Sequence, residues 1–483
     1  MFALTPQRSN RLWLWGGLAI IVLAEVCLSP WLRIFPNGIV EDDGYFYAKI
    51  AMNIGASGRS TFDGIHSTSG YHLAWGGILG ATSAVLRIFT TNPWIHLSVF
   101  HTIGLAAIWI AIVQCISQPA LRFAIFALAA VNFGLTETAI LAAALLFLAR
   151  VDWSNHSQRL SPSVCILMFA VPLIRIDGAA FLFLPAAYFA FRANIKAQTA
   201  LLFLALGVLT QLALMYAIFG EFFSVAALIK ASPFWLHPGA RLIENSVGAK
   251  TTALKSLATA IALVFLVVRI VRRRREPATH NIFLVCVSAI AFLGIHLFAT
   301  RMRNWYWVPP MALLGAAIDQ CTRTAALRAS TITIAAGAFT LATIVGAVAI
   351  IPWYQTDRAN AALLVDAVSK HVPPNGRIYQ IDGTGYVGFA TQRAVVNGDG
   401  LVNNHSYLRR VRTRQLEGYL DEENICWIIT NQRMHRNAII HFGGLEVLRT
   451  DVDEQFAVPT IGRSKFTDFR LFYRKACATT LPL

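Results

Sequence analysis

The sequence predicts a polytopic α-helical membrane protein of about 11–13 transmembrane helices, by the length a bilayer requires, followed by a C-terminal α/β domain on the extracytoplasmic side. Three observations predict it. The 483 residues are 56% hydrophobic and 14% charged, with a mean hydropathy of +0.55, whereas soluble domains carry roughly a quarter charged residues. The apolar residues gather in runs, many approaching the roughly 20 residues of a bilayer crossing. From residue 353 onward the pattern changes to short β-like runs, "RIYQI", "AVVN", "ICWIIT" and "FRLFYR", between helical or turn stretches.

Residues 12–29 open the series. A signal peptide has a shorter core and a small-residue cleavage site. Here Trp13, Trp15 and Trp31 read as interfacial anchors of an uncleaved first span with its N-terminus inside. Further apolar segments follow at 73–89, 95–116, 120–133, 137–149, 163–174, 178–191, 198–219, 252–271, 280–299, 305–318 and 329–351. Basic clusters set their sidedness. Arg272 to Arg275, "CTRTAALR" (321–328), "FRANIK" (191–196) and the 150–159 loop mark the inside. "GLTET" (134–138), "RID" (175–177), "RMRNWYW" (301–307) and the chain beyond about 352 then face outside. The alternation does not close. The end of the first span and "TTNP" (90–93) both come out on the outer side, so one segment between 73 and 133 is not a simple crossing.

The net charge of +16 follows from Lys and Arg at segment ends, with a share available to anionic lipid or a phosphate-bearing substrate. It is not a signature of nucleic acid. The seven cysteines make no metal-binding spacing. Cys426 and Cys477 either pair in an outside tail or remain two thiols.

The outer face collects the candidate chemistry, and ionisable groups at membrane depth are costly and usually functional. "EDDGYFYAKI" (41–50) places Glu41, Asp42 and Asp43 in a row. If this stretch is helical, Asp42, Tyr45, Phe46 and Lys49 share a face, and the acids lie in the first turn, where the helix dipole favours them. An N-cap explains one Asp but not three acids. One carboxylate suits a general base for an incoming hydroxyl, and the Asp42/Asp43 pair suits a divalent cation, Mg or Mn. A polar Gly- and Ser-rich loop follows and re-enters at Tyr71 and His72. A loop His is more often a packing residue; here it is also a candidate substrate contact. Glu137 stands at a hairpin tip, in a pattern that Thr136 also makes an N-cap. Arg175 and Asp177 at the next tip either pair or face a substrate. Arg301, Arg303 and Tyr306 fit an ordinary aromatic belt, yet two arginines on an outside loop suit a phosphate. In the tail, "DGTGYVG" (382–388) fits G-x-G-x-x-G at Gly383, Gly385 and Gly388. The match alone is weak, and an outside tail lies away from the nicotinamide pool, so no nucleotide cofactor is expected. The glycines are read as tight turns and close packing.

The pattern "EDDGYFYAKIAMNIG…STSGYHLAW", continued by "GLTET", "IRIDG", "NWYW" and "GTGYVGFATQRAVVNGDGLVNN" (383–404), resembles the C-type membrane glycosyltransferases, the GT-C superfamily. It is most similar to bacterial arabinofuranosyltransferase and protein-mannosyltransferase-like members. In that family an acidic pair followed by aromatics opens the first extracytoplasmic loop, and a "GYHPLW"-like stretch begins the next helix. Here it reads "GYHLAW", without the proline, which bears on the geometry near His72. No single motif is specific; their order and sidedness together are, and they touch most of the chain.

The resemblance implies a transferase domain over 1–352, with a catalytic first loop at about 30–72, and an extracytoplasmic α/β domain over 353–483. It implies an enzyme of the inner (plasma) membrane that moves a single sugar from a polyprenyl-phosphate carrier to an acceptor hydroxyl on a glycan, lipid or protein. The expected outcome is inversion at the anomeric carbon. By carry-over, Asp42 ranks first as base or metal ligand, with Asp43 beside it and Glu137 as the second-loop acid. Arg301 or Arg303 would hold the carrier phosphate, and Lys49, Tyr71, His72, Arg175, Asp177 and Tyr306 are expected substrate contacts. The rival reading is a transporter or flippase for a lipid-linked or anionic solute, which would put its key charges near mid-bilayer. A third, a structural or assembly protein, would scatter them.

Overall fold

The computed structural model describes residues 6–32, 40, 42–151, 160–191, 194–231, 286–290, 292–293, 304–324, 333–334, 336–341, 343, 351–381, 383–413, 415–430, 452–458 and 468–477. Among the described residues, three helices are long and apolar enough to cross a membrane: the first within α1 (Pro6–Leu32), then α4 (Pro93–Cys115) and α9 (Ile195–Phe219). Shorter apolar helices are α3 (Leu73–Leu86), α5 (Pro119–Asn132), α6 (Thr138–Leu148), α7 (Pro162–Ile174) and α8 (Gly178–Ala190). The expected segments between 73 and 219 each coincide with one of these helices. The segment at 252–271 lies outside the described residues, as do most of those at 280–299 and 329–351.

Local chemistry sets the helix ends. Pro93, Pro119 and Pro162 occupy first turns, where a missing N–H costs nothing. Asn92, Ser161 and Asn194 accept the N–H groups of Trp94, Val164 and Ala197, satisfying orphan donors. Gly220 at φ +74° closes α9 in the left-handed conformation that glycine adopts without strain.

Contacts order the helices. Along α4, His101 meets Glu25 of α1, and the Trp109 indole N–H donates to the Leu14 carbonyl at 3.3 Å. The two helices are therefore antiparallel, and α4 starts on the side where α1 ends. At the opposite side, Arg122 of α5 donates to Asn10 at 2.9 Å. There the carboxylate of Asp319, on α11 (Val308–Thr324), accepts the N–H groups of Ser117 and Gln118 at 3.0 and 2.9 Å.

The same contacts orient α3. α3 lies parallel to α2 (Asp42–Ser57). Near their starts the His72 N–H donates to Tyr47 Oη at 3.2 Å. Further along, a Cβ on Gly80 would meet Ile54 at 2.7 Å, and one on Gly55 would meet the backbone of Ala84 at 2.7 Å. Close to its end, Ser83 Oγ bonds His96 Nδ1 at the start of α4, at 3.0 Å. α3 has 14 residues. It begins and ends on one side of the bundle.

A five-stranded sheet forms from β1 (Arg377–Gln380), β2 (Ala394–Asn397), β3 (Trp427–Thr430), β4 (Val452–Ala457) and β5 (Arg470–Arg474), in the order β2-β1-β3-β5-β4. β1 is parallel to both neighbours, with Ile378 opposite Val395 and Trp427; β5 is antiparallel to β3 and β4. Each of the four expected runs holds a strand. β4, "VDEQFA", is an addition: it is mostly exposed and carries no apolar alternation, so the pattern that reveals strands is missing. Helix α13 (Thr384–Thr391) crosses from β1 to β2. Val395 and Ile429 of one sheet face, with Val387 and Phe389 of α13, join the core that holds Trp75, Phe100 and Phe133 of the bundle. The other face packs Tyr379, Val396, Tyr407 and Leu420. Cys426 and Cys477 form a disulfide, with Cα atoms 5.8 Å apart, which decides between the pairing and the free thiols.

Candidate active site

A left-handed turn delivers the first site residue. Gly134 and Leu135, at φ +60° and +61°, carry the chain from α5 to α6, and the Trp75 indole N–H holds Leu135 by its carbonyl at 3.1 Å. Glu137 follows as the N-cap residue of α6, but its side chain makes no cap bond. It turns inward, 2% exposed. Its Oε2 accepts from the Tyr47 hydroxyl at 2.8 Å and its Oε1 from Arg175 Nη1 at 2.5 Å, with His72 Nε2 3.5 Å away.

Arg175 caps the C-terminus of α7 in extended conformation. It also grips Asp177 through two bonds, Nε to Oδ1 at 2.6 Å and Nη2 to Oδ2 at 2.9 Å. Its guanidinium lies over the Tyr306 ring at 4.6 Å. A buried pair survives only when its charges are matched and bonded, and here they are. Burial alone would raise the Glu137 carboxyl; the charges of His72 and Arg175 and the Tyr47 hydrogen bond outweigh it and hold it below the usual range. Burial acts against the Arg175 charge too, but Asp177, Tyr306 and Glu137 hold the guanidinium protonated. Burial, and then the Glu137 charge, push the Tyr47 phenol well up, so it stays a neutral donor.

These groups line a cavity of about 290 Å³ together with Asp43 and Tyr71, under Phe222, Phe223, Leu401 and Val402. The structure thus brings together seven of the expected residues: Asp43, Tyr71, His72, Glu137, Arg175, Asp177 and Tyr306. Arg301 and Arg303 lie outside the described residues. The sequence reading omits Tyr47 and Gln211. Tyr47 had a signal, since it stands four residues after Asp43 on the same helical face. Gln211 had another, an amide deep in an apolar helix. A second cavity, of about 630 Å³, shares Tyr71 and Gln211 with the first. Leu73, Leu173, Leu214 and Ile218 make its apolar wall, and Arg59, Ser60, Thr61 and Ser67 its polar edge.

Asp42 and Lys49 are placed elsewhere. Asp42 Oδ1 accepts the N–H of Tyr386 at 3.1 Å, in the first turn of α13. Lys49 is buried, and its ammonium donates to Gln392 Oε1 at 2.8 Å; burial pulls it down to about 8, against the pull of Asp63. The face carrying Asp42, Tyr45 and Lys49 therefore meets the sheet layer. Asp43 and Tyr47, one step of about 100° round the helix, meet the cavity.

The glycine motif belongs to the same contact. Gly383, at φ +72°, turns β1 into α13, and β2 returns parallel, the topology of a dinucleotide fingerprint. A Cβ on Gly385 would meet the Asp42 carbonyl oxygen at 2.3 Å, and one on Gly388 would meet the Phe62 ring at 2.7 Å. The helix N-terminus that receives a pyrophosphate in nucleotide-binding folds here receives the carboxylate of Asp42. The close-packing reading of these glycines fits this geometry.

The two adjacent carboxylates thus have different surroundings. Among the described residues no group of three or more His, Cys, Asp or Glu side chains stands close enough to hold a metal ion.

No protein-family model and no curated protein matches the sequence. Among solved structures, ArnT from Cupriavidus metallidurans bound to undecaprenyl phosphate is similar with a TM-score of 0.54 at 10% identity, over 97% of this chain and 99% of that one. ArnT from the same organism in the apo state is similar with a TM-score of 0.54 at 12% identity over the same shares. At this identity the likeness is one of fold, and it runs through nearly the full length of both chains.

Proposed function

We propose that this chain, built on the fold of ArnT, is a membrane glycosyltransferase of the GT-C type. It takes one sugar from a polyprenyl-phosphate carrier and passes it to an acceptor hydroxyl on the outer side of the inner membrane. The observation that carries this reading is the whole-length likeness to a protein crystallised with undecaprenyl phosphate. The position of the charges supports it over a transporter. Glu137, Arg175 and Asp177 stand at the ends of α6, α7 and α8, not at mid-span. The Cys426–Cys477 disulfide supports an oxidising, extracytoplasmic side for the sheet layer.

In this reading Asp43 is the general base, because it is the member of the acidic pair that lines the cavity. The acceptor oxygen attacks the anomeric carbon and its proton passes to the Asp43 carboxylate. The bond from that carbon to the phosphate oxygen breaks, and polyprenyl phosphate leaves with the electron pair. Attack opposite the leaving group inverts the anomeric carbon. Asp43, Glu137 and Asp177 outnumber Arg175 among these lining groups, so a departing phosphate requires further cations. Arg301 and Arg303 stand in sequence just before Trp305 and Tyr306, which line the cavity, and are proposed for that role, with His72 beside Glu137. Asp42 acts as a positioning residue that docks the sheet layer onto α2.

The test is release of free polyprenyl phosphate by purified protein from a panel of polyprenyl-phosphate sugars. Asp43→Asn is expected to lower kcat by about 10²–10⁴-fold, the contribution of a general base, with an unchanged thermal transition. Full turnover in that variant would remove Asp43 from the chemistry. Intact lipid moved across proteoliposomes without release would replace the transferase reading by the flippase one.

A further inference from the structure

Along the buried stripe of α9, beyond Lys196 in its first turn, Ala197, Ala200, Leu204, Gly207 and Met215 are small or apolar, and Gln211 interrupts them. The stripe packs tightly on α7: a Cβ on Gly207 would meet the Phe169 carbonyl oxygen at 2.3 Å. A residue that served only packing there would resemble its neighbours. Gln211 is 7% exposed, and its Oε1 is sealed from solvent with no hydrogen-bond partner among the described residues. An orphan amide oxygen is costly, and polar groups inside spanning helices either bond a neighbouring helix or serve a ligand.

The surroundings decide between these two uses. Gln211 lines the charged cavity that holds Asp43 and Arg175, and it also lines the apolar cavity beside it. Its last side-chain torsion is soft, so the amide is free to turn between the two cavities that the residue lines. The unpartnered atom is an acceptor and requires a donor. A carrier phosphate ionised at neutral pH has no proton to donate; a sugar hydroxyl does.

We infer that Gln211 accepts a hydrogen bond from a hydroxyl of the transferred sugar and thereby selects which sugar the enzyme takes. The inference rests on the glycosyltransferase reading above, which did not assign Gln211 or the sugar-selecting contact. The amide N–H groups can donate back to a neighbouring sugar oxygen, so one side chain reads an adjacent pair of ring substituents.

The experiment compares the full-length protein and Gln211→Leu, a substitution of similar size that removes the amide. Both are assayed with the polyprenyl-phosphate sugar that the wild type turns over and with each of its monodeoxy analogues. The wild type is expected to discriminate against one analogue by about 10–100-fold in kcat/KM, the value of one buried hydrogen bond to a substrate. Gln211→Leu is expected to lose that preference and to melt no lower than the wild type in the absence of ligand. Unchanged discrimination at every position overturns the inference while leaving the transferase reading intact. So does a lowered melting point in the ligand-free variant, which would mark Gln211 as a packing residue. Discrimination lost for the acceptor instead of the donor overturns it as well. A wild type that releases no polyprenyl phosphate from any donor brings down both readings.

Discussion

At the scale of single residues, the chemistry turns on two neighbouring aspartates that a sequence cannot separate. Asp42 and Asp43 have the same side chain and the same acidic setting. What distinguishes them is the 100° step of a helix, which gives one to the N-terminus of α13 and the other to the cavity. The difference is measurable. Asp42→Asn keeps an oxygen for the Tyr386 N–H but removes a charge from a helix N-terminus, which costs about 0.3–1 kcal/mol. It is expected to lower the thermal transition slightly and turnover by less than about tenfold, against the far larger loss for Asp43→Asn. Equal losses in a phosphate-release assay would refute the division of labour. The sequence did mark Glu137, Arg175 and Asp177 as ionisable residues at outer helix tips, because charge at membrane depth is costly. It did not show that Arg175 bonds two carboxylates at once, since those partners come from separate connections.

At the scale of elements, the helices were legible because apolar runs are their direct cause, and β1, β2, β3 and β5 because β-branched and aromatic residues gather in them. β4 was not, since an exposed edge strand leaves no alternation. The loop from α2 to α3 shows how elements are clamped. His66 Nδ1 bonds Asp63 at 2.6 Å, and its Nε2 bonds Glu423 at 3.0 Å, across the junction with the sheet layer. Arg377 Nη1 bonds the same Glu423 at 3.0 Å, Tyr419 packs beside the imidazole, and Lys49 interacts with Asp63. Burial disfavours the imidazolium, but the hydrogen bond and charge of Asp63, then those of Glu423, raise His66 above its ordinary 6.5. Burial would raise Asp63, but His66 and two backbone N–H groups hold it below 3.8. A raised histidine stabilises fully below its unfolded value and loses that contribution as pH rises through the folded one; a depressed carboxyl does the reverse on acidification. The clamp is therefore strongest between about pH 4 and 6.5. The wild-type thermal transition is expected to fall as pH rises beyond that window, and His66→Gln to show a flatter profile. Identical profiles would mean that the clamp carries no pH-dependent stability.

At the scale of the whole molecule, one hydrophobic core runs from the bundle into the sheet, so the sheet layer is packed onto the helices rather than tethered to them. The Cys426–Cys477 bridge, spanning 51 residues, ties β3 to the end of β5. Removing it with Cys426→Ser is expected to cost about 2–4 kcal/mol. This would appear as a lower thermal transition, and reducing agent should leave the variant's transition where it is. A variant that melts with the wild type would show that the sheet is held by its packing alone. The likeness to ArnT along 97% of the chain at so little identity fits the same picture, in which shape is set by pattern and packing while the particular side chains drift.

The helix α3 carries one further consequence. Because it departs from and returns to the same face of the bundle, the unit of α2, its loop and α3 is neutral with respect to orientation. Such a unit can be lengthened, trimmed or exchanged without inverting a single helix downstream. The length of the loop between α2 and α3 therefore does not set the direction in which the spans behind it insert.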